Sequence, residues 1–254
     1  MSKFKNFLEA LGGAFHLILE TIKIGFQRPI YTKLILDQIY HIGVRSLPLV
    51  LIVAASSGMV MALQFGYGLA KFGGKLYVPK IVSLSIVREM GPVFACLMLA
   101  ARVSAGITSE IGSMKVTQQI DAIRALGTSP LKKIVFPRLT ACMIAIPMLS
   151  AGAIIVGVAG GLMVGSLELG LDTQFYLQKI FTTIKLNDYL SGFGKTFFFA
   201  FFIASTSCYY GLTVTGGTQG VGHATTKSVV TSSILIVAGD YFLTKFFLVI
   251  EQWL

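Results

Sequence analysis

The sequence predicts an all-α polytopic membrane protein. An amino-terminal amphipathic helix lies on the membrane, and about five transmembrane helices follow, with one helix between them outside the bilayer. Three observations predict this. Of the 254 residues, 54% are hydrophobic and only 13% charged, and the mean hydropathy is +0.77; an ordinary soluble domain carries about a quarter charged residues. Apolar runs of the ~20 residues needed to cross a bilayer recur along the chain. The net charge of +10 comes from Lys and Arg beside those runs, a placement that orients a membrane protein and explains the charge without nucleic acid.

Residues 1–26 put Phe4, Phe7, Leu8, Leu11, Phe15, Ile18 and Ile22 on one helical face. Lys5, Glu9, His16, Glu20 and Lys23 fall largely on the other. Steps of three and four mark an amphipathic helix, and it has too many charges to span, so it is expected flat on the membrane. Pro29 ends it, and residues 30–43 form a second short amphipathic piece leading inward. Residues 1–43 are therefore interfacial and elbow helices, and 44–254 the transmembrane region.

The first span covers about 46–69 and contains Ser56, Ser57, Gly58 and Gln64, which suit close helix packing or a cavity wall. Gly73, Gly74 and Pro79 are turn residues. The second span, about 81–111, carries Arg88, Glu89, Arg102 and Glu110. Residues 112–133 form a helix outside the bilayer, since they hold Lys115, Gln118, Gln119, Asp121 and Arg124. Its apolar residues Met114, Ile120, Ile123 and Leu126 leave one side able to pack on a partner. The third span, about 139–167, is uncharged, glycine-rich and expected to kink at Pro147. Residues 168–190 hold Asp172, Lys179, Lys185 and Asp188 and read as a soluble helical loop on the outer side. The fourth span covers about 190–212, with Lys195 near its start. A polar glycine-rich loop over 215–228 precedes a fifth span, about 229–250, carrying Asp240 and Lys245. No convincing internal repeat is present, which weighs against an inverted-repeat secondary transporter.

Basic residues set the orientation. Lys3, Lys5, Lys23, Arg28, Lys33 and Arg45 flank the first span, and Lys115, Arg124, Lys132, Lys133 and Arg138 follow the second. The positive-inside rule then makes the amino terminus and the 112–138 segment cytoplasmic.

The chain is organised around 87–138. A charge near the centre of a bilayer helix costs about 2.5–3.5 kcal/mol on insertion scales, so Arg88, Glu89 and Lys195 are functional candidates by default. The plainer alternative is that Arg88 and Glu89 sit at the membrane–water boundary. Neither Arg88 nor Lys195 has a sequence-adjacent partner, because neighbours on a helix point about 100° apart, and an anionic headgroup would supply the missing charge. Other signals fail. Gly194-Lys195-Thr196 looks like the end of a phosphate-binding loop, but Tyr189 stands where that loop needs glycine. Cys96, Cys142 and Cys208 lie inside apolar runs without metal-ligand spacing and read as small core residues. No carboxylate pair, His/Cys metal cluster or activated nucleophile stands out, so the chain reads as no enzyme, and any ATP would be hydrolysed by another subunit.

Asp121-Ala122 with Gly127 six residues after the Asp, and Pro137 beyond, resembles the cytoplasmic coupling loop of ABC importer permeases. More specifically, REMGP (88–92), AARVSAGITSEIGSMKVTQQIDAIRALGTSP (100–130) and GHATTKSVVTSS (222–233) with Asp240 resemble the MlaE/YrbE permease family over nearly the whole chain. That resemblance implies the membrane subunit of an Mce-type lipid ABC transporter in the inner membrane. It implies a homodimer, two cytoplasmic ATPases that bind the ATP, and an Mce-domain ring on the periplasmic side. The cargo would be phospholipid, or another lipid, moved between inner and outer membranes to maintain outer-membrane lipid asymmetry. The family's lipid site carries over onto Arg88, Glu89 and Lys195, with apolar walls at Met61, Leu69, Phe72 and Met90. Met61 and Phe72 depart from the leucine and tyrosine commoner in the family, and ordinary packing explains the four apolar residues equally well. The ATPase-coupling helix, 112–130, carries over onto Lys115, Gln118, Asp121, Arg124 and Gly127. Two other readings stay open: a secondary transporter or channel using the intramembrane charges as an ion relay, and a membrane scaffold.

Overall fold

The computed structural model describes residues 2–25 and 31–253, with the side chains of 12–25 and 31–251. Every regular element among them is helical. In chain order these are α1 (Ser2–Gly25), α2 (Thr32–Ile42), α3 (Leu47–Ala70), α4 (Val78–Ser85), α5 (Gly91–Leu99), α6 (Ala105–Val116) and α7 (Gln119–Ala125). They are followed by α8 (Phe136–Leu167), α9 (Thr173–Thr183), α10 (Leu186–Leu212) and α11 (Gly217–Trp253).

Among the described residues, four helical segments are long and apolar enough to cross a membrane: Thr32–Ala70, Lys75–Val116, Leu131–Leu167 and Gly217–Glu251. The expected fourth span, α10, is not among them. At 27 residues it is about 40 Å long at 1.5 Å per residue, but Asn187, Asp188, Lys195 and a run of Ser and Thr dilute its apolar character. The second span is one helical path with two π-turns, Ile86–Met90 and Ala100–Ser104. A third π-turn, Leu131–Val135, opens the path into α8. Such single turns widen a helix by one residue and frequently mark functional positions.

Three expectations are corrected. The helix expected over 112–133 is broken: α6 ends at Val116, Gln118 takes a left-handed conformation with φ 59°, and the short α7 ends before Gly127, φ 73°. The glycine-rich stretch 215–228 is helix from Gly217 onward, and the turn before it is made by Gly216 and Gly217, both at positive φ. In α1, the face expected to lie wholly on the membrane is split, because Ile18 at its edge is buried in the protein while Phe15 and Ile22 are not. Phe15, Leu19 and Ile22 are exposed, whereas Ala14, Ile18, Thr21 and Gly25 form the buried stripe. The side chains of Phe4, Phe7, Leu8 and Leu11, and all of Arg28 and Pro29, lie outside the described residues.

The chain divides into two compact units. The first comprises residues 1–45, 99–145 and 199–236. Here α1 packs by its small residues, Gly13 against the Tyr209 ring and Gly25 against Phe136. Hydroxyls join the helices: Ser104 Oγ pairs with Ser228 Oγ at 2.6 Å and Ser232 Oγ at 3.1 Å, and Thr206 Oγ1 pairs with Ser232 Oγ at 3.0 Å. Thr108 Oγ1 donates to the Ser207 carbonyl and Tyr210 Oη pairs with Thr231. Cys142 and Cys208 are free and buried here, as Cys96 is in the second unit, in keeping with small core residues.

The second unit comprises residues 46–98, 146–198 and 237–254. Its apolar core is Ala62, Val78, Val82, Ile86, Val164, Leu169, Leu171, Tyr176 and Ile180. Helices α3 and α8 touch backbone to backbone, since a Cβ on Gly58 would lie 1.9 Å from the Gly157 carbonyl oxygen. Close approach of this kind, through small residues, drives helix association where lipid removes the hydrophobic incentive.

Candidate functional site

Six ionisable side chains converge in the second unit, from three stretches of chain. The π-turn Ile86–Met90 presents Arg88 and Glu89. The start of α10 presents Asp188 and Lys195, and the last turns of α11 present Asp240 and Glu251, with Thr244 between them. Arg88 donates through Nε and Nη2 to Asp188 Oδ1. Its Nη2 also reaches both carboxylate oxygens of Glu251 at 3.0 Å. Lys195 Nζ donates to Glu89 Oε2 at 2.6 Å, Thr244 Oγ1 at 2.6 Å, Asp240 Oδ1 at 3.1 Å and the Arg88 carbonyl at 3.3 Å. Thr244 Oγ1 lies 2.8 Å from the Asp240 carbonyl.

The expectation of unpartnered cations is therefore wrong. Arg88 and Lys195 each bind two carboxylates. A buried charge without a partner is too expensive to persist, and the chain meets the cost with its own acids. Asp188 is the clearest revision: expected in a solvated loop, its side chain is only 4% exposed. Its second oxygen accepts the Lys185 backbone N–H at 2.8 Å, so one carboxylate both caps the start of α10 and holds Arg88. The members differ in access. The Lys195 side chain is 0% exposed, whereas Arg88 is 25% and Glu251 36% exposed.

The apolar residues expected at the site are dispersed. Met61 and Leu69 pack on the apolar core of the second unit. Met90 follows Glu89 directly and is half-buried. Phe72 is 87% exposed, beyond the end of α3.

The expected coupling residues gather in the first unit around the α6–α7 corner. Lys115 Nζ lies 3.4 Å and Arg124 Nη1 3.8 Å from Asp121 Oδ1, so the carboxylate ties the corner together. Ile120 is buried and anchors α7, leaving Leu126 and Arg124 exposed. Gln118 is the residue at positive φ that makes the corner. At the base of this segment Arg138 holds Glu110 at 2.8 Å and donates to the Ile134 carbonyl.

Sequence reasoning missed Asp188, Thr244 and Glu251. Its one usable signal was composition: four acids and two bases in or beside apolar spans must find one another.

A family model described as Permease MlaE matches residues 35–246. A protein of Rickettsia felis named probable ABC transporter permease protein is 43% identical over 219 residues, covering 86% of this chain and 85% of that protein. A similarly named protein of Synechocystis is 35% identical over 82% of this chain and 80% of its own length. One from Porphyra purpurea is 30% identical over 90% of this chain and 87% of its own length.

Proposed function

Because the chain belongs to the MlaE permease family, we propose that it is the membrane subunit of an ABC transporter that moves phospholipid between the inner and outer membranes and so maintains outer-membrane lipid asymmetry. The observation that carries this reading is the ion cluster on Arg88, in the second span, and Lys195, fully buried on α10, both where charge is costly. The two cations have different tasks. Lys195, fully buried, holds three helices through Glu89, Asp240 and Thr244. Arg88 meets the cargo. A guanidinium takes phosphate by two parallel N–H bonds, so a headgroup phosphate replaces the accessible Glu251 on Nη2 while buried Asp188 keeps Nε. Acyl chains lie against Met90, the half-buried apolar residue next to Glu89.

The chain supplies no cofactor of its own in this reading. ATP is bound and hydrolysed by cytoplasmic ATPase subunits that dock on residues 112–130, where Asp121 braces Lys115 and Arg124 and leaves Leu126 outward. Two copies of the permease pair, and an Mce-domain ring receives lipid on the periplasmic side. The protein sits in the inner membrane with its amino terminus in the cytoplasm.

The test uses the complete transporter in native-like membranes. Arg88→Glu should cut copurified phospholipid about tenfold, the loss of charge-assisted hydrogen bonds, while insertion persists. Full lipid retention and full transport overturn the reading. Asp121→Arg should release the ATPase from a permease that remains inserted. Transport driven by a proton or sodium gradient without ATP would instead support an ion-relay carrier.

A further inference from the structure

We propose that Pro92 is a positioning residue of the polar site, because it frees the Arg88 carbonyl to accept from Lys195. The inference rests on the reading of the cluster as the lipid site only for its functional consequence; the geometry stands alone. In an α-helix the carbonyl of residue 88 accepts the N–H of residue 92, and proline has none. The pyrrolidine ring also crowds the carbonyl four residues back, and widening the preceding turn relieves that crowding. The widened turn is present: Gly91 N–H bonds the Ile86 carbonyl, five residues back, and closes the π-turn Ile86–Met90. The two defects thus coincide, so the helix loses donors at one place instead of two.

The freed oxygens are then used. The Arg88 carbonyl accepts from Lys195 Nζ at 3.3 Å. The Val87 carbonyl, whose π partner would also be residue 92, faces Gly192 of α10, where any Cβ would approach within 2.1 Å. Glycine there lets α10 come close enough for Lys195, three residues further along, to reach back across. The widened turn also lets consecutive residues serve separate partners, Arg88 toward Asp188 and Glu251, Glu89 toward Lys195. A second proline occupies the same place in the sequence pattern: Pro137 follows the π-turn Leu131–Val135 by two residues, as Pro92 follows Met90. It has the same backbone signature without Lys195, which makes it the natural control.

The experiment compares Pro92→Ala, Pro137→Ala, Lys195→Met and Pro92→Ala/Lys195→Met in the full transporter. Arg88-Glu89 is the sole Arg-Glu dipeptide in the sequence, so carbonyl-labelled Arg with amide-labelled Glu isolates the Arg88 carbonyl by solid-state NMR. Dephasing of that carbonyl by labelled Lys side-chain nitrogen reports the contact whether or not lipid is bound. Alanine is a better helix former than proline, so the variant should fold. The contact should be present in the parent and in Pro137→Ala and lost in Pro92→Ala, with about fivefold less copurified phospholipid, the size of one hydrogen bond. Pro92→Ala should add nothing to Lys195→Met. Persistence of the contact in Pro92→Ala overturns the proposal, as does its loss without change in lipid, an equal effect of Pro137→Ala, or additive single effects. If Lys195→Met keeps all its lipid, the lipid reading fails, and the carbonyl contact still decides whether Pro92 positions Lys195.

Discussion

Two buried polar networks join the same stretches of chain by different chemistry. In the first unit the second span, α10 and α11 are linked by neutral hydroxyls: Ser104, Thr206, Ser228 and Ser232. In the second unit those stretches are linked by charge: Arg88 and Glu89 with Asp188, Lys195, Asp240 and Glu251. Hydroxyls suffice to hold helices together in a membrane at small cost, since each can fall back on its own helix, as Ser232 Oγ does on the Ser228 carbonyl. Charges cannot fall back. A protein that already closes one set of contacts with serine and threonine does not need six ionisable groups to close another. The difference argues that the charged network is kept for what it does and not for adhesion.

The largest expected effect comes from removing the cation at the centre of the charged network. Lys195→Met leaves Glu89 and Asp240 facing each other without their shared partner, and breaking a buried pair from one side costs about 3–5 kcal/mol. A clear drop in the thermal midpoint of the purified protein should accompany loss of transport. Adding Glu89→Gln should recover much of the midpoint by removing one orphaned charge, yet leave transport lost. Recovery of both together would mean that the network is adhesive after all, and the contrast between the two regions would collapse.

Ser232→Ala tests the other side. Ser232 touches Ser104 and Thr206, but Ser104 keeps Ser228 and Thr206 keeps the Phe202 carbonyl. No partner is stranded, so the loss should be near the ~0.6 kcal/mol average for hydroxyl bonds between membrane helices. Transport should stay within about threefold of the parent by that estimate. Unfolding and transport assays on the same preparation check both numbers, and a Ser232→Ala defect as deep as that of Lys195→Met would erase the distinction.

What the sequence made legible follows the same physics. Apolar runs announced the spans because bilayer crossing demands length and hydropathy. Arg88, Glu89, Lys195 and Asp240 stood out because charge is rare inside such runs. Asp188 and Glu251 were hidden because they sit among polar neighbours near helix ends, where an acid looks solvated until its partner is placed. Thr244 was silent because a threonine in a span ordinarily bonds its own helix, which it also does here. The amino-terminal part of α11 was read as loop because glycines have low helix propensity; burial of Ser228 against Ser104 overrides that preference. The π-turns had no signal of their own except the prolines two residues beyond two of them.

A third kind of buried polar group sharpens the comparison further, and its effect should be the smallest. Tyr176 of α9 is almost wholly buried against Gly161 and Gly165, and its hydroxyl finds no hydrogen-bond partner. It has neither a charge to exchange nor a fallback on its own helix, so the hydroxyl contributes nothing that its ring does not. Tyr176→Phe should therefore be neutral or slightly stabilising near neutral pH, because it removes an unsatisfied buried group. Alkaline pH separates the two proteins. Burial pushes the Tyr176 phenol up from 10 to about 12, so the unfolded chain ionises first. The stability tied to the buried neutral phenol is complete below pH 10 and is lost as pH rises toward about 12. Across that window the parent should lose stability faster than Tyr176→Phe, with α9 its point of weakness. Parallel alkaline slopes would mean that the hydroxyl already finds a partner, and that this buried site is wetter than its surroundings indicate.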